Sequence, residues 1–227
     1  NMLMSPLIRH SNVFSIVSSL AAYSPKEEII RNAMKFVSSS HLDGDYLEFG
    51  VYEGFSFASA FHFAQRQGLE EMKFFAFDSF QGLPKITGLD AQGGHNFRQG
   101  QYSCSVDRFR KSLVAKGVDL NEVTIVPGWY QDVLNHQTKR NLTLSSAAVI
   151  YIDCDLYAST VSVLNFASDY IQDGTVIIFD DWCSFRGNPN RGEQRAFTEW
   201  LSQHKSIQAV PYSRFGHHGN SFILSLT

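Results

Sequence analysis

The stretch YLEFGVYEGFS, residues 46–56, decides the fold of this chain. Glu48 lies near the end of a short apolar strand, and Gly50 and Gly54 bracket a tight turn that leads directly into a helix. A strand, a glycine turn and a helix in this order begin the mononucleotide-binding half of a doubly wound α/β sheet, with the ligand over the carboxyl end of the strand. Glycines in the turn let the backbone come close to that ligand.

The spacing of the two glycines indicates which ligand this turn suits. Tyr52 stands where the middle glycine of a G-x-G-x-x-G motif would be, so a pyrophosphate site, and with it NAD, is disfavoured. A cofactor with ribose and amino-acid parts but no phosphate fits better, and S-adenosylmethionine (SAM) is such a cofactor. Glu48 can accept hydrogen bonds from its hydroxyl or amino groups. On this motif alone the other interpretation, a glycine turn that only packs helix on strand, stays open.

Length and composition are those of one globular domain. The 227 residues are 44% hydrophobic and 18% charged, and the net charge of −3 comes without a basic run, which argues against a nucleic-acid-binding protein. Three cysteines without C-x-x-C spacing argue against disulfides and zinc. No apolar run approaches about 18 residues and no signal peptide is recognised, so we expect a cytoplasmic protein without a membrane segment.

Strands and helices alternate along most of the chain. Residues 1–44 are predicted to be helical, with SPKEEIIRNAMKFVSSS as the clearest segment, and to form a lid or an element of a homo-oligomer. Residues 45–227 are predicted to form one domain with seven strands, at 45–49, 73–78, 123–128, 147–153, 175–181, 207–212 and 220–226. The helix after the fourth strand is expected to end at Asp173-Gly174. The last two strands are close enough in sequence to form a hairpin. The predicted fold is therefore a doubly wound, mostly parallel seven-stranded sheet with a terminal antiparallel hairpin, as in Rossmann-like class I methyltransferases.

The ends of the second and third strands supply candidates for a nucleoside site. Asp78 ends the second strand, where an acid suits the two hydroxyls of a ribose, although it could also cap the next turn. Gly128 and Trp129 end the third strand, where an aromatic ring could contact an adenine or simply belong to the core. The complete predicted cofactor site is Glu48, Gly50, Tyr52, Gly54, Ser56, Asp78, Ser79, Gly128, Trp129 and Asp153.

Two acidic pairs follow the fourth and fifth strands, at Asp153-Cys154-Asp155 and Asp180-Asp181. Neighbouring strands would bring these carboxylates together, and such a cluster needs protons, arginines or a cation. Oxygen ligands without histidine or cysteine suit Mg²⁺, Ca²⁺ or Mn²⁺, and Mg²⁺ is favoured by its abundance. Asp153, Asp180 and Asp181 are the predicted ligands and Asp155 is a candidate base, unless one pair caps the following helix.

A glycine-rich loop, residues 79–103, follows the second strand. Long loops in compact domains tend to be functional, and this one would lie over the ligand as a mobile lid. It contains His95, a second candidate for accepting a proton near neutral pH.

Five motifs, EFGVYEG, FDSFQGLP, PGWYQDVL, YIDCDLYAST and FDDW, resemble in order and spacing the macrocin O-methyltransferase family. Members are metal-dependent enzymes that methylate sugar hydroxyls of natural products with SAM. The resemblance covers about residues 46–201. It implies a SAM-binding acid and turn at Glu48, Gly50 and Gly54, a ribose-binding acid at Asp78, metal ligands at Asp153, Asp180 and Asp181, and a base at Asp155 or His95. The chain differs from the family in Cys154, where glycine is usual, and in a shorter N-terminal region.

The predicted function is a metal-dependent methyl transfer from SAM to a hydroxyl group of a small molecule. Two other functions stay open. A glycosyltransferase would use Asp153-x-Asp155 to hold a metal and a sugar nucleotide, which leaves Glu48, the glycine turn and Asp180-Asp181 unexplained. A catalytically inactive SAM-binding domain would not need the acidic cluster.

Overall fold

The computed structural model describes residues 23–93 and 95–227. The predicted helical segment 1–44 therefore lies partly outside the described residues. The described α-helices are α1 (Pro25–Ser39), α2 (Phe55–Arg66), α3 (Val106–Ala115), α4 (Tyr130–Val133), α5 (His136–Asn141), α6 (Tyr157–Ala167) and α7 (Gly192–Gln203). The strands are β1 (Asp45–Phe49), β2 (Phe74–Asp78), β3 (Val123–Pro127), β4 (Ala147–Ile152), β5 (Ile171–Phe179), β6 (Ile207–Phe215) and β7 (Gly219–Leu226).

The seven strands form one sheet in the order β3-β2-β1-β4-β5-β7-β6. Strands β1 to β5 are parallel to one another, whereas β7 is antiparallel to both β5 and β6. The prediction of a doubly wound, mostly parallel sheet with a terminal antiparallel hairpin is confirmed. Strand order reverses between β1 and β4, and in such sheets ligands bind outside the carboxyl ends of the strands at this reversal.

Both faces of the sheet are covered, which explains the continuous apolar strands. All residues of β1, β2 and β4 are buried. Their side chains alternate between two hydrophobic clusters, so that Tyr46 contributes to one cluster and Leu47 and Phe49 to the other. Helices α1, α2 and α3 cover the first cluster, and α6 and α7 cover the second.

Helix α1 is well specified by its sequence. Ser24 and Glu27 form a reciprocal capping box and Pro25 occupies the first turn. The apolar stripe Ile29, Ile30, Ala33, Met34 and Val37 is buried in the first cluster. This described part of the N-terminal segment is thus packed into the domain, and a role of residues 1–44 as a lid or oligomer element stays a prediction.

The end of the helix after β4 differs from the sequence prediction. Helix α6 ends at Ala167 and is followed by a 3₁₀ turn, Ser168–Tyr170, so the expected stop at Asp173-Gly174 is wrong. Asp173 and Gly174 lie inside β5, where the pairing with β4 shifts register between Ala147 and Val149. Among the described residues, no helix combines the length and apolar character needed to cross a membrane.

Candidate active site

A cavity of about 440 Å³ lies at the carboxyl edge of the sheet and receives residues from the ends of β1 to β5 and from the loop after β2. The predicted site residues in its lining are Gly50, Tyr52, Asp78, Ser79, Trp129, Asp153, Asp155, Asp180 and Asp181. The predicted residues outside the lining are Glu48, Gly54, Ser56, His95 and Gly128. The structure therefore brings the nucleoside candidates and the acidic cluster into one space.

The two glycines of the first turn are required for packing inside the protein. A Cβ on Gly50, whose φ is +88°, would lie 1.9 Å from the carbonyl oxygen of Asp153. A Cβ on Gly54, whose φ is +73°, would lie 2.8 Å from the Phe109 ring. Gly50 thus allows the end of β4 to approach the turn, and Gly54 allows α3 to pack against the start of α2.

Asp78 holds the glycine turn in place. Its Oδ2 accepts hydrogen bonds from the backbone N–H groups of Val51 (2.9 Å) and Tyr52 (3.2 Å), and its Oδ1 accepts one from Phe80 (2.7 Å). Three backbone donors leave this carboxylate room for about one more partner. A ribose hydroxyl could be that partner, and the assignment of Asp78 to the ribose stays a prediction.

Glu48 lies beneath the turn and not in the cavity wall. It is fully buried, and its two oxygens accept hydrogen bonds from the hydroxyls of Tyr46 (2.5 Å) and Ser56 (2.6 Å). Burial raises the pKa of Glu48 to about 7, against the opposing effect of these hydrogen bonds. The sequence predicts that Glu48 and Ser56 contact the ligand. In this geometry Ser56 instead donates a hydrogen bond to Glu48, and the pair stabilises the turn from the interior of the domain.

The acidic cluster forms as predicted at the ends of β4 and β5, which are neighbours in the sheet. One carboxylate oxygen from each of Asp153, Asp180 and Asp181 lies within 4.8 Å of the others. Two oxygens on the same Mg²⁺, at about 2.1 Å from it, lie no more than about 4.2 Å apart, so small side-chain rotations suffice to bind one ion. Burial, followed by the charge of the neighbouring carboxylates, holds the pKa values of Asp153, Asp155 and Asp181 above their ordinary range. The donor set and its charge thus fit a hard divalent cation.

Asp155 is positioned by an unusual backbone conformation. Its φ is +64°, its carboxyl group lies beside that of Asp181, and only 6% of the residue is exposed. The alternative that Asp155 caps α6 is wrong, since the N-cap of that helix is Leu156 without a side-chain hydrogen bond. Asp155 therefore faces the cavity with its carboxyl group beside the acidic cluster.

The cap of α6 comes from the loop after β2. The buried carboxylate of Asp90 accepts hydrogen bonds from the backbone N–H groups of Tyr157 (2.8 Å) and Ala158 (3.2 Å). Arg191 donates a further hydrogen bond to the carbonyl of Gln92 (3.1 Å). The loop is thus tied to the helix that follows Asp155.

His95 takes part in the same set of contacts that hold the loop after β2. Its Nε2 lies 2.7 Å from the carbonyl oxygen of Asp90, and its Nδ1 accepts a hydrogen bond from the backbone N–H of Phe97 (3.0 Å). The ring also packs against Phe97 and Phe185. Because both nitrogens have partners and the ring lies outside the cavity lining, the interpretation of His95 as a base is not supported, and the geometry gives it a structural role in the loop.

Sequence reasoning missed two residues that contact the cluster. Lys26, in the first turn of α1, places its Nζ 2.6 Å from Asp180 Oδ2 and 3.1 Å from Asp153 Oδ2. Burial lowers the pKa of Lys26, but the charges of Asp153 and Asp180 outweigh that effect and raise it. Glu193, which is fully buried, accepts a hydrogen bond from the backbone N–H of Asp181 (3.0 Å). The one sequence signal for Lys26 is a cation in a first helical turn, where helices favour acids.

Comparisons with known proteins show which family model this chain matches. The model of the macrocin-O-methyltransferase (TylF) family matches residues 26–209. Mycinamicin III 3''-O-methyltransferase from Micromonospora griseorubida is 29% identical in an alignment of 163 positions, and the match covers 68% of this chain and 62% of that protein. The chain spans about three fifths of the length of the curated relatives it matches.

Solved structures show the same fold. The O-methyltransferase NovP superposes with a TM-score of 0.73 at 21% identity, covering 88% of this chain and 80% of NovP. TomG, an O-methyltransferase from Streptomyces achromogenes solved in complex with SAM, superposes with a TM-score of 0.57 at 14% identity, covering 97% and 92%.

Proposed function

The chain belongs to the macrocin-O-methyltransferase (TylF) family, and we propose that it transfers the methyl group of SAM to a hydroxyl group of a small molecule, a sugar or another vicinal diol of a natural product. The observation that carries this proposal is the single cavity that joins the glycine turn and Asp78 to Asp153, Asp155, Asp180 and Asp181. A methyl transfer needs a site for the methyl donor and an adjoining site that activates an oxygen, and this cavity offers both.

SAM, when bound, supplies an electrophilic methyl group, so the protein has to place an oxygen nucleophile in line with it. The turn held by Asp78 exposes Gly50 and Tyr52 to the cavity, with Ser79 and Trp129 beside them. These residues suit the nucleoside and amino-acid parts of the cofactor. TomG, which shares the fold, was solved with SAM bound, and this supports SAM as the cofactor.

Asp153, Asp180 and Asp181 would hold a divalent cation, Mg²⁺ in the first place. Such a cation would supply Lewis-acid chemistry, which makes an acceptor hydroxyl more acidic and orients it. Orientation of the reactants alone can remove about 7–11 kcal/mol from a barrier of this kind. The carboxylate oxygens of this cluster are held by the ends of two neighbouring strands, which suits such a task.

Asp155 is the group we assign to the acceptor proton. It lines the cavity, and its carboxyl group lies beside that of Asp181, so it is next to the proposed cation site. Its place in the cavity lining beside that site suits it to accept the proton of the acceptor hydroxyl. His95 is not assigned this role, because its nitrogens are used inside the loop.

The experiment is calorimetric titration of the protein with S-adenosylhomocysteine (SAH) and with UDP-sugars, followed by turnover of labelled SAM with a panel of sugar diols and catechols. We expect SAH to bind and a diol to be methylated in the presence of Mg²⁺. Asp181→Asn should lower turnover, whereas the exposed Asp107→Asn should leave it unchanged. Binding of UDP-sugars without SAH would favour the glycosyltransferase, and SAH binding without methylation of any acceptor would favour an inactive SAM-binding domain.

A further inference from the structure

Lys26 stands at a place that its own helix does not favour. It follows Pro25 in the first turn of α1, where the helix dipole is positive and where Glu27 and Glu28 are the fitting residues. A capping box already determines where this helix begins. The position of Lys26 therefore has to be explained by what its ammonium group contacts.

The ammonium group lies between two of the proposed cation ligands. Its Nζ is 2.6 Å from Asp180 Oδ2 and 3.1 Å from Asp153 Oδ2, and both residues belong to the cluster completed by Asp181. Tyr151 donates a hydrogen bond to the other oxygen of Asp180 (2.9 Å). Lys26 thus uses the one oxygen of Asp180 that this tyrosine leaves free.

We propose that Lys26 is a built-in counter-cation, which holds Asp153 and Asp180 together and which a divalent cation has to displace in order to bind them. This inference rests on the proposed cation site. Two cations that share the same pair of oxygens repel each other strongly at such short range, so the ammonium and the ion exclude one another.

Displacement requires only a movement of the lysine side chain. Helix α1 is fixed by five buried apolar residues, so its backbone stays in place. The side chain of Lys26 is 48% exposed, whereas that of Asp180 is 12% exposed. The ammonium group can therefore swing into solvent along a short path, while the carboxylates stay at the cavity.

Two consequences follow for the cation site. While the ammonium group is in place, it keeps Asp153 and Asp180 close together without an ion. The affinity for the ion is also reduced, since only molecules with the lysine swung out can bind it. If Lys26 holds the two oxygens for nine tenths of the time, the apparent dissociation constant rises about tenfold.

The test is a titration of the full chain with Mn²⁺ at pH 8, followed by the loss of the free-ion electron paramagnetic resonance signal. We expect Lys26→Met to bind Mn²⁺ about tenfold more tightly than the wild type. The matched control is Lys85→Met, which removes a positive charge from the lining of the same cavity and should change the affinity much less. Equal tightening in both variants would show a general effect of charge and would overturn the proposal, as would unchanged or weaker binding by Lys26→Met.

A second variant keeps the test valid if Lys26→Met does not fold. Lys26→Arg retains the charge and offers carboxylates a two-pronged contact, so it should bind Mn²⁺ more weakly than the wild type. Tighter binding by this variant would contradict displacement.

Thermal unfolding provides an independent readout. Without added ion, Lys26→Met should have a lower melting temperature than the wild type, because its clustered carboxylates have no cation beside them. Mn²⁺ should raise the melting temperature of Lys26→Met by more than that of the wild type. If the proposed cation site itself does not exist, neither the wild type nor Lys26→Met should bind Mn²⁺. Bound Mn²⁺ with no difference between the two would reject only the role of Lys26.

Discussion

Replacing Asp78 by alanine should destabilise the cofactor turn itself. The change removes the acceptor of hydrogen bonds from the N–H groups of Val51, Tyr52 and Phe80. Val51 and Phe80 are only 3% and 8% exposed, so water cannot replace the carboxylate as the acceptor for their N–H groups. Tyr52 is 44% exposed, and its N–H group can be solvated. At about 1–3 kcal/mol for each buried donor left without a partner, the free energy of unfolding should fall by about 2–6 kcal/mol.

The isosteric Asp78→Asn variant separates shape from charge. Its carbonyl oxygen can keep the hydrogen bonds of Val51 and Tyr52, but its amide group then faces the N–H of Phe80, donor against donor. We expect a loss of about 1–3 kcal/mol, for the one buried donor that is left without a partner. SAH affinity should also fall in this folded variant, by about 1–3 kcal/mol, if a ribose hydroxyl uses the remaining lone pair.

The assay is urea unfolding at pH 7.5, with the midpoint and the slope both fitted. A stability effect shifts the midpoint at constant slope. Glu71→Gln is the control, because Glu71 is an exposed acid just before β2 and should change stability by no more than about 0.5 kcal/mol. If Asp78→Ala unfolds within about 1 kcal/mol of the wild type, the carboxylate does not hold the turn and the reasoning from these hydrogen bonds fails.

Four further outcomes are expected. EDTA should abolish methyl transfer and Mg²⁺ should restore it, and full turnover after exhaustive chelation would leave the acids a structural role only. Asp155→Asn should lower kcat by about 10²–10⁴-fold, as for loss of a general base, with SAH binding retained; near-native kcat would remove Asp155 from that role. Trypsin should cut after Lys85 or Arg98, both exposed, much faster in the free protein than with SAH and acceptor, and equal rates would argue against a lid. The pKa of Glu48 is raised from 4.5 to about 7 in the folded protein, so the contribution of this residue to stability should be lost as pH rises through this window. In urea unfolding, the free energy of unfolding of Glu48→Gln relative to the wild type should therefore increase by up to about 3 kcal/mol between pH 4.5 and 8, and a constant difference would contradict the raised pKa.

The parts of the site that the sequence predicts are those that follow a strand directly. Asp78, Asp153 and Asp180 each come at the end of an apolar run, and parallel strands place their carboxyl ends at one edge of the sheet. The ends of the strands therefore predict the acidic cluster from the sequence alone. The seven-stranded fold was predictable for the same reason, since strands buried on both faces give continuous apolar segments.

The features of the site that the sequence does not predict depend on contacts between residues far apart in the chain. Lys26 lies 127 residues from Asp153, and Asp90 caps a helix that begins 67 residues later. No local periodicity encodes such pairs. The same holds for Glu48: its residue type suggested a ligand contact, but its orientation towards Ser56 is decided by packing around the turn. His95 likewise carried a plausible chemistry, and only the loop contacts show that its nitrogens are already used.

Three of the six described non-glycine residues with a left-handed φ lie where the chemistry is proposed. Tyr52, Tyr102 and Asp155 line the cavity, and all three have left-handed φ values, of +41°, +61° and +64°. Such conformations cost about 1–3 kcal/mol each in residues other than glycine, and they persist only where the surrounding structure imposes them. The two tyrosine rings meet edge to face at a centroid distance of 5.9 Å beside the cavity, and Asp155 turns its carboxyl towards Asp181. Glycine would relieve the strain at each position but would remove the side chain, so the retained strain is best explained by what these side chains do in the cavity. Asparagine tolerates the left-handed region, and Asp155→Asn therefore tests the carboxylate without disturbing the backbone that presents it.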